Sequence, residues 1–135
     1  MKGALVWVVV AGCGGGVAAA PDAAPPAVCS SADPAAVVEQ ELFGPCASCH
    51  GGATPDAELE FFLPSDVEAM FDAPSRLCPD KVLVVPGDPA ASYLIEKLVP
   101  RPTCGEIMPT LVPLPAETVA CFEQWIAELA PTRRR

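Results

Sequence analysis

The apolar positions change their spacing several times along the chain, and each change marks an element. Leu5 to Val10 is an almost unbroken apolar run behind Met1 and Lys2, and it ends on the small residues Ala11 and Gly12. One positive charge, a short apolar run and small residues at its end are the layout of an export signal, too short to span a bilayer. Residues 14–33 are mainly Gly, Ala, Pro and Ser with almost nothing to pack, which predicts a flexible tether reaching on the order of 25 Å. A helix is predicted from Ala35 to Phe43, with Asp33 as N-cap acceptor, Pro34 at the first helical position and Gly44-Pro45 as the stop. Ser65-Asp66-Val67-Glu68 has capping-box spacing and predicts a short helix carrying Val67, Met70 and Phe71. Asp88-Pro89 repeats the cap signature ahead of Ala91, Leu94, Ile95 and Leu98 at helical spacing. The last helix is predicted from about Pro115 to Ala130, with Phe122, Trp125, Ile126 and Leu129 on one face and Leu114, a poor cap, before it. Val82 to Val85 is extended and β-branched, but one four-residue strand makes no sheet. The predicted class is small all-α, about four short helices joined by long Pro-rich loops. The organisation is a signal over 1–12, a tether over 13–33, a folded body over 34–130 and a basic tail over 131–135.

Composition narrows this picture. At 135 residues the prior is one domain. The hydrophobic share of 51% overstates the core, because much of it is alanine. A net charge of −9 argues against nucleic acid as a partner, since phosphate recognition needs basic stripes. Between residues 13 and 132 only Arg76, Lys81, Lys97 and Arg101 are basic against 17 acidic residues, so a protein partner would dock through a basic face. Seven cysteines in so short a chain point to staples in an oxidising compartment.

The signal ends in Val10-Ala11-Gly12-Cys13, which resembles the lipobox of bacterial lipoproteins. That resemblance implies a lipidated Cys13 as the mature N-terminus, in the cell envelope on the periplasmic side. The competing reading is an incidental cysteine in an ordinary signal peptide. No later run reaches about 18 apolar residues, so the lipid would be the attachment to the membrane.

Long loops in a small domain usually wrap something. Between the first two predicted helices, Cys46-Ala47-Ser48-Cys49-His50 has the spacing of a c-type haem attachment site. Two thiols reach the two vinyl groups on one porphyrin edge as thioethers, and the adjacent imidazole ligates the iron. His50 is the only histidine in the chain. Three other readings compete: a zinc site with a fourth ligand, which rarely takes adjacent Cys and His; a thioredoxin-like pair, which needs a βαβ setting absent here; and structural disulfides without haem. For a distal ligand the chain offers Met108, in the Gly- and Pro-bracketed loop Thr103 to Pro109. The alternative is Met70, whose apolar helical pattern is the pattern of a core residue.

The order of these features resembles a class I-like monohaem cytochrome c domain of the kind tethered to bacterial envelope proteins. It runs from the capped helix through Cys-x-x-Cys-His-Gly and Gly87-Asp88-Pro89-Ala90-Ala91-Ser92-Tyr93-Leu94 to Cys104-Gly105-x-x-Met108-Pro109 and a last helix with Cys121 and Trp125-Ile126. The resemblance covers about residues 34–130. It implies one covalent haem c on Cys46 and Cys49, His50 as proximal ligand, Met108 as distal ligand, and first and last helices that cross near Trp125. Val38 and Leu42 stand where many relatives carry a glycine and an aromatic residue.

The function implied is single-electron transfer to a redox partner protein rather than enzymatic turnover. Peroxidase-like or gas-sensing chemistry would arise only without the distal ligand, and a haem-free, disulfide-stapled binding lipoprotein is the remaining alternative. Phe61, Phe62, Phe71, Tyr93, Leu94, Leu98 and Trp125 would shield the haem, and Arg76, Lys97 and Arg101 could pair its propionates. Cys29, Cys78, Cys104 and Cys121 remain as an even set for disulfides, expected here as Cys104 with Cys121 and Cys29 with Cys78.

Overall fold

The computed structural model describes residues 26–61 and 63–131. The export signal, Cys13, most of the tether, Phe62 and the three arginines of the tail lie outside the described residues. The described part is helical, with four α-helices and no strand: α1 (Pro34–Phe43), α2 (Pro64–Glu68), α3 (Tyr93–Leu98) and α4 (Ala116–Glu128). No helix among the described residues is long and apolar enough to cross a membrane.

Helix α1 forms as its punctuation predicts. The Asp33 carboxylate accepts the Ala36 N–H at 3.1 Å and Pro34 occupies the first turn. It stops at Gly44, where a Cβ would come within 2.6 Å of the Gln40 carbonyl oxygen, so the chain turns closer to the helix than any other residue allows. Helix α4 begins at Ala116 with Pro115 in the capping place and no side-chain cap. It buries Val119, Ala120, Cys121, Phe122, Trp125 and Ile126, whereas Leu129 closes the helix half-buried. Helices α1 and α4 make the most extensive helix pair, and Val38 and Leu42, each 1% exposed, lie in the core cluster with Phe122 and Ile126.

Two helix starts differ from the sequence expectation. Helix α2 starts at Pro64, two residues earlier, because the Asp66 carboxylate accepts the Leu63 N–H at 2.7 Å and supplies the N-terminal bond itself; Met70 and Phe71 fall beyond its end. Helix α3 starts at Tyr93 rather than behind Asp88. Asp88 does cap, but it caps a turn: its carboxylate accepts the Ala91 N–H at 3.0 Å. Ser92 then ties that turn back, accepting the Val85 N–H at 2.8 Å and donating to the Asp88 carbonyl at 2.8 Å. The same side-chain bond serves an Asx turn or a helix cap, so the sequence signal is shared between them.

The run Val82 to Val85 lies against residues 71–74 through two isolated bridges, Phe71 with Val84 and Pro74 with Val82, and builds no sheet. Lys81 at its head reaches α3, pairing with Glu96 at 2.8 Å. Glu96 also accepts from the Thr103 N–H and hydroxyl, each at 2.5 Å. The Lys81 bond first and the Thr103 bonds next pull the Glu96 carboxyl down from 4.5 to about 2. A depressed carboxyl stabilises the fold above its ordinary range and loses that contribution as pH falls through its folded value. Unfolding midpoints of the wild type should therefore drop between about pH 4.5 and pH 2 more steeply than those of Glu96→Gln. Parallel acid titrations would reject this tie's importance.

Two disulfides close the body, joining Cys29 to Cys121 and Cys78 to Cys104. All four expected cysteines are used, but the pairing corrects the expected one. Cys104 sits close to Cys121 in sequence, yet Tyr93 on α3 holds it beside Cys78, while the tether's end runs along α4. There Cys29 bridges to Cys121 and the Ser30 hydroxyl bonds Glu117. The first bridge spans 92 residues and the second 26. Loop-closure entropy assigns them about 4.6 and 3.5 kcal/mol in the chain-entropy account.

Candidate functional site

The site grows from the turn that follows α1. Pro45 opens a 3-10 turn over Cys46–Ser48. The Ser48 hydroxyl donates to the Pro45 carbonyl at 2.7 Å, and the Cys49 and His50 N–H groups both donate to the Cys46 carbonyl, at 3.2 and 2.9 Å. These bonds wind the Cys-x-x-Cys-His segment into a compact arc. His50 is then fixed from its other side. Its Nδ1 lies 3.0 Å from the Asp56 carbonyl oxygen, and its own carbonyl accepts the Phe61 N–H at 2.7 Å. The Phe61 ring meets the imidazole edge-on at 5.5 Å. A carbonyl can only accept, so Nδ1 carries a proton, and in the neutral ring the lone pair is on Nε2. This is the arrangement that holds an imidazole ready for a metal ion.

A cavity of about 360 Å³ opens beside His50, within the range of small-molecule sites. Leu42, Cys46 and His50 form part of its wall, with Met70, Tyr93 and Met108 contributing others. Met108 is carried in by its own backbone, whose N–H donates to the Lys97 carbonyl at 2.6 Å at the end of α3. Met70 is 1% exposed, so it is a core residue that also faces the cavity. Both methionines singled out from the sequence thus border the same space as the histidine. Cys49 is exposed and does not line the cavity, standing three residues along the turn from Cys46.

Of the shielding residues expected, Phe61, Tyr93, Leu94 and Leu98 line the cavity. Phe71 and Trp125 do not; their rings pack on each other at 6.1 Å within the core. Phe62 lies outside the described residues. Arg76 stands at the mouth, paired with Glu58 at 2.8 Å, and both side chains are largely exposed. Lys97 lines the cavity with its ammonium 5.7 Å from the centre of the Tyr93 ring, and burial lowers its pKa against the pull of the Glu106 and Glu96 carboxylates. Arg101 does not line this cavity and borders a separate hollow with Pro102, Glu106, Ile107 and Thr110. Leu42, Leu59, Leu83 and Phe122 also line the cavity and were missed. Phe122 carries only the helical periodicity of an ordinary core residue, Leu83 belongs to the extended run of residues 82–85, Leu42 stands only where many relatives carry an aromatic residue, and Leu59 carries no signal.

The chemistry of the wall discriminates among the sequence readings. Four of the six described cysteines are in disulfides, and Cys46 and Cys49 are free thiols. Burial first, then Glu41 and Cys49, push the Cys46 thiol up to about 11. A thioredoxin-like pair needs a depressed thiol, and Cys46 has the opposite setting. Among the described residues no three His, Cys, Asp or Glu side chains come together as a metal-binding group, so Cys46, Cys49 and His50 have no further donors of the zinc kind. His50, Met70 and Met108 line the same mainly apolar cavity. No family model, no curated protein and no solved structure matches the chain.

Proposed function

We propose that the chain is a monohaem c-type electron carrier, exported and held at the membrane by a lipid on Cys13. The observation that carries this reading is the cavity at which Cys46, a tautomerically fixed His50 and Met108 meet. A covalently held haem would supply one-electron Fe(II)/Fe(III) chemistry there, with thioether ligation favouring the reduced form.

The chain's own residues then have distinct tasks. Cys46 and Cys49, the described cysteines left free, are the thioether donors. His50 offers Nε2 because Asp56 holds the proton on Nδ1. Met108 offers its sulfur from a backbone tied to Lys97, with Met70 as the alternative. Leu59, Phe61, Leu94 and Leu98 keep water from the wall, and a flat apolar ligand would also cover Leu77, which is 73% exposed at the cavity. Lys97 and Arg76 are the cations that line the cavity and could meet a carboxylate there. Strong acidity favours a redox partner with a basic docking face.

A pyridine haemochrome spectrum together with the intact mass tests the reading: one haem per chain supports it, and an unmodified mass overturns it. Met108→Ala should then abolish the methionine-to-iron charge-transfer band of the oxidised protein. Persistence of that band in Met108→Ala and its loss in Met70→Ala would transfer the distal role to Met70.

A further inference from the structure

The segment that carries Met108 is held in an unusual way. No residue from 99 to 115 is buried, and between Pro100 and Pro113 none belongs to the hydrophobic core or packs against it. Apolar burial therefore does little to keep this segment in place. Its attachments are polar or covalent: Thr103 to the Glu96 carboxylate, the Cys104 carbonyl to the Tyr93 hydroxyl at 2.6 Å, Met108 N–H to the Lys97 carbonyl, and the bridge from Cys104 to Cys78. The neutral bonds contribute about 1 kcal/mol each and those to the ionised Glu96 carboxylate more, but all of them open and close reversibly, whereas the bridge holds until it is chemically reduced. It sits four residues before Met108.

We propose that the Cys78–Cys104 bridge is the clamp that keeps Met108 at the cavity, and that its reduction by an external dithiol opens the distal side to a small neutral ligand such as carbon monoxide. The proposal rests on the haem reading above. The exchange is chemically complete. Cys78 is 2% exposed and Cys104 half-buried, so the attacking thiolate meets the Cys104 sulfur. The S–S bond breaks and the electron pair departs on the Cys78 sulfur, 3.1 Å from the Tyr93 hydroxyl, which can donate to it once it releases the Cys104 carbonyl. The second thiol of the reductant then displaces Cys104. The reductant leaves as a disulfide, and two electrons and two protons end on Cys78 and Cys104. Tyr93 thereby loses a covalently fixed partner at the same moment as the loop gains freedom.

The test uses the full holoprotein with its haem already reduced by ascorbate, so that dithiothreitol changes only the bridges. Before treatment the ferrous protein should refuse carbon monoxide; afterwards it should bind it at least tenfold faster, and Cys78→Ser with Cys104→Ser should behave as the treated wild type. Cys29→Ala with Cys121→Ala, which removes the other bridge, should leave carbon monoxide excluded. Exchange of the Met108 amide, read by mass spectrometry, should accelerate at least tenfold when the bridge is opened. Unchanged exchange with both thiols alkylatable overturns the clamp whether or not haem is present. A missing haem mass overturns the haem reading instead and leaves amide exchange to decide the clamp. Equal carbon monoxide binding before and after reduction, in a protein that carries haem, overturns the gating.

Discussion

Replacing both Cys46 and Cys49 by alanine is expected to yield a chain with no covalent haem and no cooperative unfolding transition. The reason lies in the cavity. It measures about 360 Å³ and is walled by residues that also belong to the core, including Leu42, Met70, Leu98 and Phe122. An unfilled core space costs about 24 cal/mol per Å³, which for this volume gives ~9 kcal/mol as an upper limit, since the cavity is open to water. Small domains carry about 5–15 kcal/mol in total. If a covalent haem fills this space, its loss would remove up to that much of the margin, whereas the alanines themselves remove little buried surface, Cys49 being exposed. Near-ultraviolet circular dichroism and thermal scans on the purified variant would check this. A variant that melts as sharply and at the same temperature as the wild type would show that the body is self-sufficient and the cavity an ordinary surface cleft.

The second large effect is expected at Phe122. It is fully buried in the middle of α4, belongs to the core cluster with Val38 and Leu42 of α1, and borders the cavity from behind. Truncation to alanine should cost about 3–5 kcal/mol, since the ring's contacts are lost and α1 and α4 cannot close together without moving the cavity wall. For a body of this size that is a fall of about 15 °C or more in the melting temperature. Leu129→Ala is the natural comparison. Leu129 is half-buried at the C-cap of the same helix, and its loss should cost about 1 kcal/mol or less. Similar losses at the two positions would mean that the α1–α4 contact does not organise the core.

Local signals in the sequence proved legible where one short-range interaction decides the outcome. Asp33-Pro34 starts α1 because the cap and the fixed proline φ act within three residues, and the apolar stripe of α4 places Phe122, Trp125 and Ile126 inward. Asp88-Pro89 misled because its carboxylate forms the same kind of bond in a turn, and the choice between turn and helix is made by Ser92 bonding back to Val85, a contact that no periodicity encodes. Disulfide pairing was illegible for a related reason. Cys78 and Cys104 meet because Tyr93 gathers both beside α3, and that depends on how two long loops return across the body. The candidate site divides the same way. The Cys-x-x-Cys-His arc was readable from spacing, but the proton on His50 Nδ1 is set by the Asp56 carbonyl, and any residue at position 56 would present one. Met70 showed that core and site are not exclusive categories: a side chain 1% exposed to water can still face a cavity.

The bridge between Cys29 and Cys121 also decides how the body responds to a pull on its N-terminal side. Without it, tension arriving along residues 26–32 would reach Asp33 first and peel α1 from α4 one turn at a time, beginning with the cap. With the bridge in place the load enters α4 directly at Cys121, in the middle of the helix and at its buried face. Force is then shared across the whole helical contact and bypasses both α1 and the arc of Cys46 to His50. Tension applied along residues 26–32 would therefore leave the geometry at His50 undisturbed.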